Sequence, residues 1–323
     1  MIEPRVRARL GQARTHAAHG LRAAAERLRP TPTASSPPVD EEPVANRFPL
    51  GYFYSPLPDS RELAREPARS RVWPARPRPT IGVDWNEEQQ VRLATKVFAA
   101  QERLPFLRDE PQDGMEYWMT NDQYPPLDAW VLEGMLRHLR PARMIEVGSG
   151  YSSLVTARVN RELLDDSMSF TCIEPHPRDF LLRGVAGISD LRVEEVQDTP
   201  LDVFEQLGAG DILFIDTAHT VKTGGDVVWL YNEVLPRLRP GVVVHIHDAF
   251  LPGDYPQPWV FEGWGWNEVY LIQAFLAFNS AFEVQFAVQW MLHNRLDLIE
   301  RAFPDHALIP GVGAALWLRR RTP

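Results

Sequence analysis

The stretch Ala142-Arg-Met-Ile-Glu-Val-Gly-Ser-Gly-Tyr-Ser-Ser153 reads as a strand, a tight turn and the start of a helix. Met144, Ile145 and Val147 form an apolar run too short for a helix and β-branched enough for a strand buried on both faces. Gly148 and Gly150 break that run, and Ser152 to Arg161 resumes with helical spacing. A strand, a glycine turn and a helix in this order bring backbone N–H groups close to a nucleotide in a parallel α/β sheet. Glycine at both positions leaves room that a side chain would take from the ligand, and Ser149 and Tyr151 complete the turn around it.

Two details separate this turn from the dinucleotide fingerprint Gly-x-Gly-x-x-Gly. The third glycine position holds Ser153, and a carboxylate, Glu146, stands two residues before the first glycine. A pyrophosphate gains nothing from a carboxylate there, whereas the cationic amino group of a methionine does. On these residues the chain resembles the class I S-adenosylmethionine-dependent methyltransferases, whose first motif reads acidic-x-Gly-x-Gly.

Length and charge narrow the classes further. The 323 residues are ample for one large domain with additions. A net charge of −9 argues against a general nucleic-acid binder, and no apolar run approaches the roughly 20 residues of a membrane span. The single cysteine, Cys172, lies in an apolar strand-like run, so no disulfide framework exists and a reducing cytoplasm fits.

The first 30 residues differ from the rest: seven arginines face only Glu3 and Glu26. No apolar core or cleavage signal of a targeting peptide follows, so this segment reads as a basic arm, suited to contacts in a homo-oligomer. With the proline-rich linker after it, the arm spans residues 1–46. Residues 47–140 read as a substrate-side cap: an irregular Pro- and Arg-rich segment, an amphipathic helix from Asn86 to Arg103, and a helix from Leu127 to Leu139. Residues 141–323 then form the cofactor domain.

That domain alternates strands and helices, the pattern of a doubly wound, Rossmann-like sheet. After the first strand come Phe170 to Ile173, Leu191 to Val196, Asp211 to Ile215 and Val242 to Ile246. Phe282 to Trp290 and Ala314 to Arg319 add a closing pair, for seven strands with an antiparallel carboxyl end. Ligands in such sheets bind at the carboxyl ends of the strands, where Glu174, Asp216, His247 and Asp248 fall. Glu174, about 24 residues past the turn, is placed to accept the ribose hydroxyls. Residues 249–267, with Tyr255, Trp259, Trp264 and Trp266, are too broken by Pro and Gly for a helix and read as an aromatic lid.

The run Phe214-Ile-Asp-Thr-Ala-His219, with His245-Ile-His-Asp248 later, extends the resemblance to the small-molecule or O-methyltransferase-like branch, over about residues 115–320. The resemblance implies S-adenosylmethionine as cofactor and Asp198 near its adenine. Related catechol-type enzymes hold Mg²⁺ with an Asp after strand four and an Asp-Asn pair after strand five. Here Asp216 and Asp248 match the acids, Ala249 replaces the Asn, and His247 is the substitute ligand, which opens the site to Mn²⁺ and other divalent ions as well as Mg²⁺. His219, three residues past Asp216, is the expected general base, with Asp216 beside it. His245 reads as a satisfied core histidine. Lys222, before a helix start, together with Tyr124, Tyr255 and Trp259, marks the substrate side and an anionic group on the substrate.

The expected activity is methyl transfer from S-adenosylmethionine to an oxygen of a small molecule, such as a natural product or sugar, assisted by a divalent metal. A carbon acceptor on an isoprenoid diphosphate fits the tryptophan-rich lid. From other classes, a nicotinamide oxidoreductase is disfavoured by Glu146 and Ser153, and a protein that binds the cofactor without methylating is the third reading.

Overall fold

Seven strands form one sheet in the order β3-β2-β1-β4-β5-β7-β6. They are β1 Arg143–Val147, β2 Ser169–Ile173, β3 Asp190–Arg192, β4 Ile212–Ile215, β5 Val243–Ile246, β6 Phe282–Ala287 and β7 Leu316–Arg320. The first five run parallel, and β7 enters antiparallel between β5 and β6. The β4 and β5 side chains are wholly buried, as expected of strands covered on both faces. The Rossmann-like sheet and its antiparallel end are therefore as expected. The computed structural model of the chain describes residues 48–308 and 312–322, so the basic arm and linker expected over 1–46 lie outside the described residues.

The described residues fall into two units divided between Asp59 and Ser60. In the first, Phe48, Tyr52, Phe53 and Tyr54 gather in turns, with the rings of Phe53 and Tyr54 4.1 Å apart. In the second, the helices are α1 Ser60–Leu63, α2 Ala68–Val72, α3 Glu87–Arg92, α4 Pro126–Leu139, α5 Tyr151–Leu163, α6 Asp179–Leu182, α7 Leu201–Glu205, α8 Asp226–Trp229, α9 Gln257–Glu262, α10 Glu268–Leu276, α11 Val288–Asn294 and α12 Leu296–Ala302. Two apolar clusters cover the sheet. One holds α4, α5 and α12 with Phe170, Phe214 and Trp317; the other holds α8 and α10 with Ile145, Ile215 and Val244. No helix among the described residues is long and apolar enough to cross a membrane.

Several element bounds differ from the sequence reading for local reasons. β3, paired only with β2, stops at Arg192 instead of Val196. The sixth strand ends at Ala287, and Val288 to Trp290 turn into α11. The aromatic loop, read as too broken for a helix, holds the short helix α9, with Pro258 in its first turn and left-handed Gly263 ending it.

Candidate functional site

The glycine turn joins β1 to α5 by a chain of buried hydroxyls. Ser153 Oγ accepts the N–H of Gly150 at 3.0 Å and donates to Glu146, which also accepts from Ser152 Oγ at 2.7 Å. Serine at the third fingerprint position thus ties the helix start to the carboxyl on the strand, a bond glycine could not make. Glu146 is fully buried, and its carboxyl faces these hydroxyls and the Cys172 thiol rather than the cleft. Burial pushes its proton affinity up, the hydroxyl bonds oppose this, and the acid ends at about 7.

The two glycines serve different ends. Gly148 has φ +83, and a Cβ there would lie 1.5 Å from the carbonyl oxygen of Asp216. It is therefore glycine because β4 passes so close, not because of a ligand. Gly150 meets nothing within 4 Å and leaves the turn open, which is the space a cofactor backbone contact needs. Ser149 Oγ is buried and unpartnered in that turn. Beside it, Glu174 accepts the N–H groups of Ser149 at 3.1 Å and His176 at 2.8 Å, and partial burial raises its pKa against those two bonds. An open glycine, an orphaned hydroxyl and a carboxylate at the tip of β2 fit an adenosine-bearing cofactor. Tyr151 stacks on Phe180 under the guanidinium of Arg178, and Asp198 is exposed in the loop after β3.

At the carboxyl ends of β4 and β5 an acid–histidine cluster closes the same edge. His219 Nε2 is 3.2 Å from Asp216 Oδ1 and 3.7 Å from Asp248 Oδ2. His247 Nδ1 is 3.4 Å and 3.7 Å from the same two oxygens. Both histidines are buried, and His219 and Asp248 have positive φ, +52 and +51, a conformation unusual for side chains of their size. Burial alone would discharge His219, but its bonds to Asp216 and Glu268, with the charge of Asp248, win and push it up to about 10. His247 is likewise held well above its usual range, against burial, by Asp248 and Asp216. Burial raises Asp248, and the two imidazoles only partly offset it. The expected ligands Asp216, His247 and Asp248 are thus together, joined by His219. Among the described residues no group of three or more His, Cys, Asp or Glu side chains is placed so that it could hold a metal ion.

Two buried acids that sequence reasoning did not single out complete the cluster. Glu268, the first residue of α10, lies 2.9 Å from His219 Nδ1 and accepts from Tyr231 Oη at 3.2 Å. Asp128, on α4, is 3.3 Å from His247 Nε2 and accepts the N–H groups of Ala314 and Ala315. A signal existed only for Asp128, a carboxylate inside the apolar run Leu127-Asp-Ala-Trp-Val131. Glu268 resembles any acid in a first helical turn.

The remaining expected residues surround this edge unevenly. The Tyr124 ring lies 4.9 Å from that of His247, with its hydroxyl buried and unpartnered. Tyr255 is buried and its hydroxyl accepts the N–H of Val269. Trp259 stacks on Trp264 at 4.6 Å, and Trp266 rests 4.3 Å from the His219 ring, so the aromatic loop packs against the cluster. Lys222 is exposed, its stem folded over Gly225. His245 is not the satisfied core histidine expected: it lies between Phe214 and Trp317 with neither ring nitrogen bonded, and burial drives it well below its usual range.

A family model described as a methyltransferase domain matches residues 145–249, the span from β1 through β5 to the Asp248 motif. The chain is 33% identical over 174 residues to an uncharacterised protein of Archaeoglobus fulgidus, covering 52% of this chain and 77% of that one. Among solved structures it is similar to the O-methyltransferase TomG of Streptomyces achromogenes, at 17% identity and a TM-score of 0.37, covering 74% of this chain and 92% of that one. An O-methyltransferase from Bacillus cereus gives 14% identity and a TM-score of 0.38, over 72% and 90%.

Proposed function

Because the chain belongs to the class I S-adenosylmethionine-dependent methyltransferases, we propose that it transfers the sulfonium methyl group to a hydroxyl of a small molecule. One observation carries this reading: the open glycine turn and the acid–histidine cluster share a wall. Gly148 touches the backbone of Asp216, whose side chain belongs to the cluster, so cofactor and acceptor would meet at the ends of β1 and β4. In this reading Glu174 takes the ribose hydroxyls, Gly150 and Ser149 the methionine half, and Asp198 the adenine side. Glu146 acts one layer behind, by shaping the turn.

Methyl transfer from a sulfonium is an in-line displacement: the acceptor oxygen forms the new C–O bond while the C–S electron pair returns to sulfur. The acceptor proton must leave for a nearby group. His219 was the expected base, but with Asp216 and Glu268 on its two nitrogens it already holds a proton near neutral pH. The proton therefore passes to the coupled cluster as a unit rather than to one free imidazole. A divalent cation held by Asp216, His247 and Asp248 is part of the proposal; when bound, it lowers the hydroxyl's pKa and orients it. Those three side chains would be its donors, but as they are placed no group of three such side chains among the described residues could hold an ion, so no step of the transfer is routed through one. Tyr124, Tyr255 and Trp259 would line the acceptor pocket and Lys222 would meet an anionic substituent. The cap over 47–140 and the lid over 249–267 belong to the same proposal.

Calorimetric titration with S-adenosylhomocysteine tests the cofactor half. Wild type should bind, and Glu174→Ala should lose about 10- to 100-fold in affinity, the worth of one or two charge-assisted hydrogen bonds. No binding by wild type would remove the reading altogether.

A further inference from the structure

A cavity of about 480 Å³ opens beside α4, away from the acid–histidine cluster. Its apolar walls are Leu104, Pro105, Phe106, Met119 and Trp130, and its charged groups are Arg103, Arg108 and Asp305. Trp130 follows Asp128 by two residues, about 200° round the helix. The cavity therefore lies on the flank of α4 opposite the carboxylate that holds His247.

The walls are pinned from several directions. Leu104 donates its N–H to Glu133 of α4 at 3.0 Å, and Arg158 of α5 donates to the carbonyl of Pro105 at 2.9 Å. The N–H of Met119 bonds the carbonyl of Leu107 at 2.7 Å, and Thr120 gives both its N–H and its hydroxyl to that of Arg108. A preformed concave surface of roughly 300–1,000 Å³, apolar but for a few charged groups, is the usual form of a small-molecule site.

Arg103 decides which molecule fits. Its guanidinium lies 5.1 Å from the Trp130 ring and 5.8 Å from that of Phe303, and Nη1 donates to the carbonyl of Ala302 at 2.7 Å. These contacts hold a planar donor against an aromatic wall. Nη2 reaches Asp305 only at 3.8 Å, too far for a hydrogen bond, and the Asp305 side chain is 58% exposed. Such a pair takes little of the guanidinium's capacity. Arg108 is exposed. Two positive charges against one negative leave the cavity one positive charge in excess, and a guanidinium fork matches a planar carboxylate. The apolar walls suit a ring or a short hydrocarbon chain behind that carboxylate.

We propose that this cavity is a second ligand site, which binds a small monocarboxylic acid with an apolar body, its carboxylate on Arg103 and Arg108 and its body on Trp130 and Met119. The site is independent of the methyl-transfer reading.

Full-length protein titrated calorimetrically with 3-phenylpropionate tests the proposal, with 3-phenylpropionamide as the uncharged counterpart. One site per chain is expected, with the amide bound at least about 10-fold more weakly, the loss of a charge-assisted hydrogen bond. Arg103→Gln should weaken 3-phenylpropionate binding at least about 10-fold, and Arg108→Gln about 3-fold. Arg108 is exposed, so its variant carries the test should Arg103→Gln not fold. Saturating S-adenosylhomocysteine should leave the affinity for 3-phenylpropionate unchanged. Absence of binding, equal binding of acid and amide, or an unchanged affinity in a folded Arg103→Gln or in Arg108→Gln each overturns the proposal. Competition by S-adenosylhomocysteine also overturns it, since the acid would then occupy the cofactor cleft.

Discussion

Glu146→Gln should remove a pH dependence of stability that the buried carboxyl imposes. The acid titrates at about 7 in the folded chain, against 4.5 for an unperturbed glutamate. Below pH 4.5 both folded and unfolded chains keep the proton, and the neutral acid is what the interior tolerates. As pH rises from 4.5 to 7 the unfolded chain releases its proton first, so this contribution to stability falls, and above 7 it levels off. At 1.36 kcal/mol for each pH unit between the two values, the loss is about 3 kcal/mol. The site is fully buried, so solvent screening does not reduce it much. Glutamine fits the same hydroxyls: its oxygen accepts from one serine and its amide donates to the other, without a proton to lose. Thermal melts of both proteins from pH 4 to 8 make the comparison, and any constant effect of the substitution cancels. Relative to the variant, wild type should lose roughly 6 °C across that range, at roughly 2 °C per kcal/mol for a chain of this size. Melting temperatures that run parallel would show that the folded and unfolded chains release this proton at the same pH, and the account of the turn would fall with it.

Other substitutions separate folding from binding along the same edge. Gly148→Ala meets the Asp216 carbonyl from a left-handed position and should lower the melting temperature by several degrees while abolishing S-adenosylhomocysteine binding. Gly150→Ala, facing open space, should weaken that binding by calorimetry at a smaller loss of stability. Tyr255→Phe removes the acceptor of the Val269 N–H and should cost about 1 kcal/mol in urea denaturation. Asp128→Ala strands the buried N–H groups of Ala314 and Ala315 as well as His247, and should cost about 3 kcal/mol or more in the same assay.

What the sequence discloses here follows from where each residue's partners lie. The strands of the parallel sheet are legible because their apolar runs are self-contained, and a parallel sheet sends every carboxyl end to one edge. Glu174, Asp216, His247 and Asp248 could therefore be placed together from their positions after strands alone. The direction in which a side chain turns is not legible in that way. Glu146 reads as a ligand contact from its place before the glycines, yet the hydroxyls of Ser152 and Ser153 draw it inward. Gly148 reads as a concession to a ligand, yet the chain itself, at Asp216, is what approaches it. His219 reads as a free base because Glu268 is 49 residues away and looks like a helix-capping acid. Asp128 escapes because its three partners, Ala314, Ala315 and His247, come from beyond the cofactor turn. In each case a specific contact across the turn or across the fold decides, by a hydrogen bond or a close approach, and no periodicity records it. The acids that escaped are those that stand behind the histidines, and they alter the chemistry most. Without Asp128 and Glu268, His219 and His247 could turn or titrate freely; with them, both rings are fixed with their inner nitrogens on the same two oxygens. A methyl acceptor arriving there meets a preorganised charged surface, the form of assistance that needs no rearrangement at the moment of transfer.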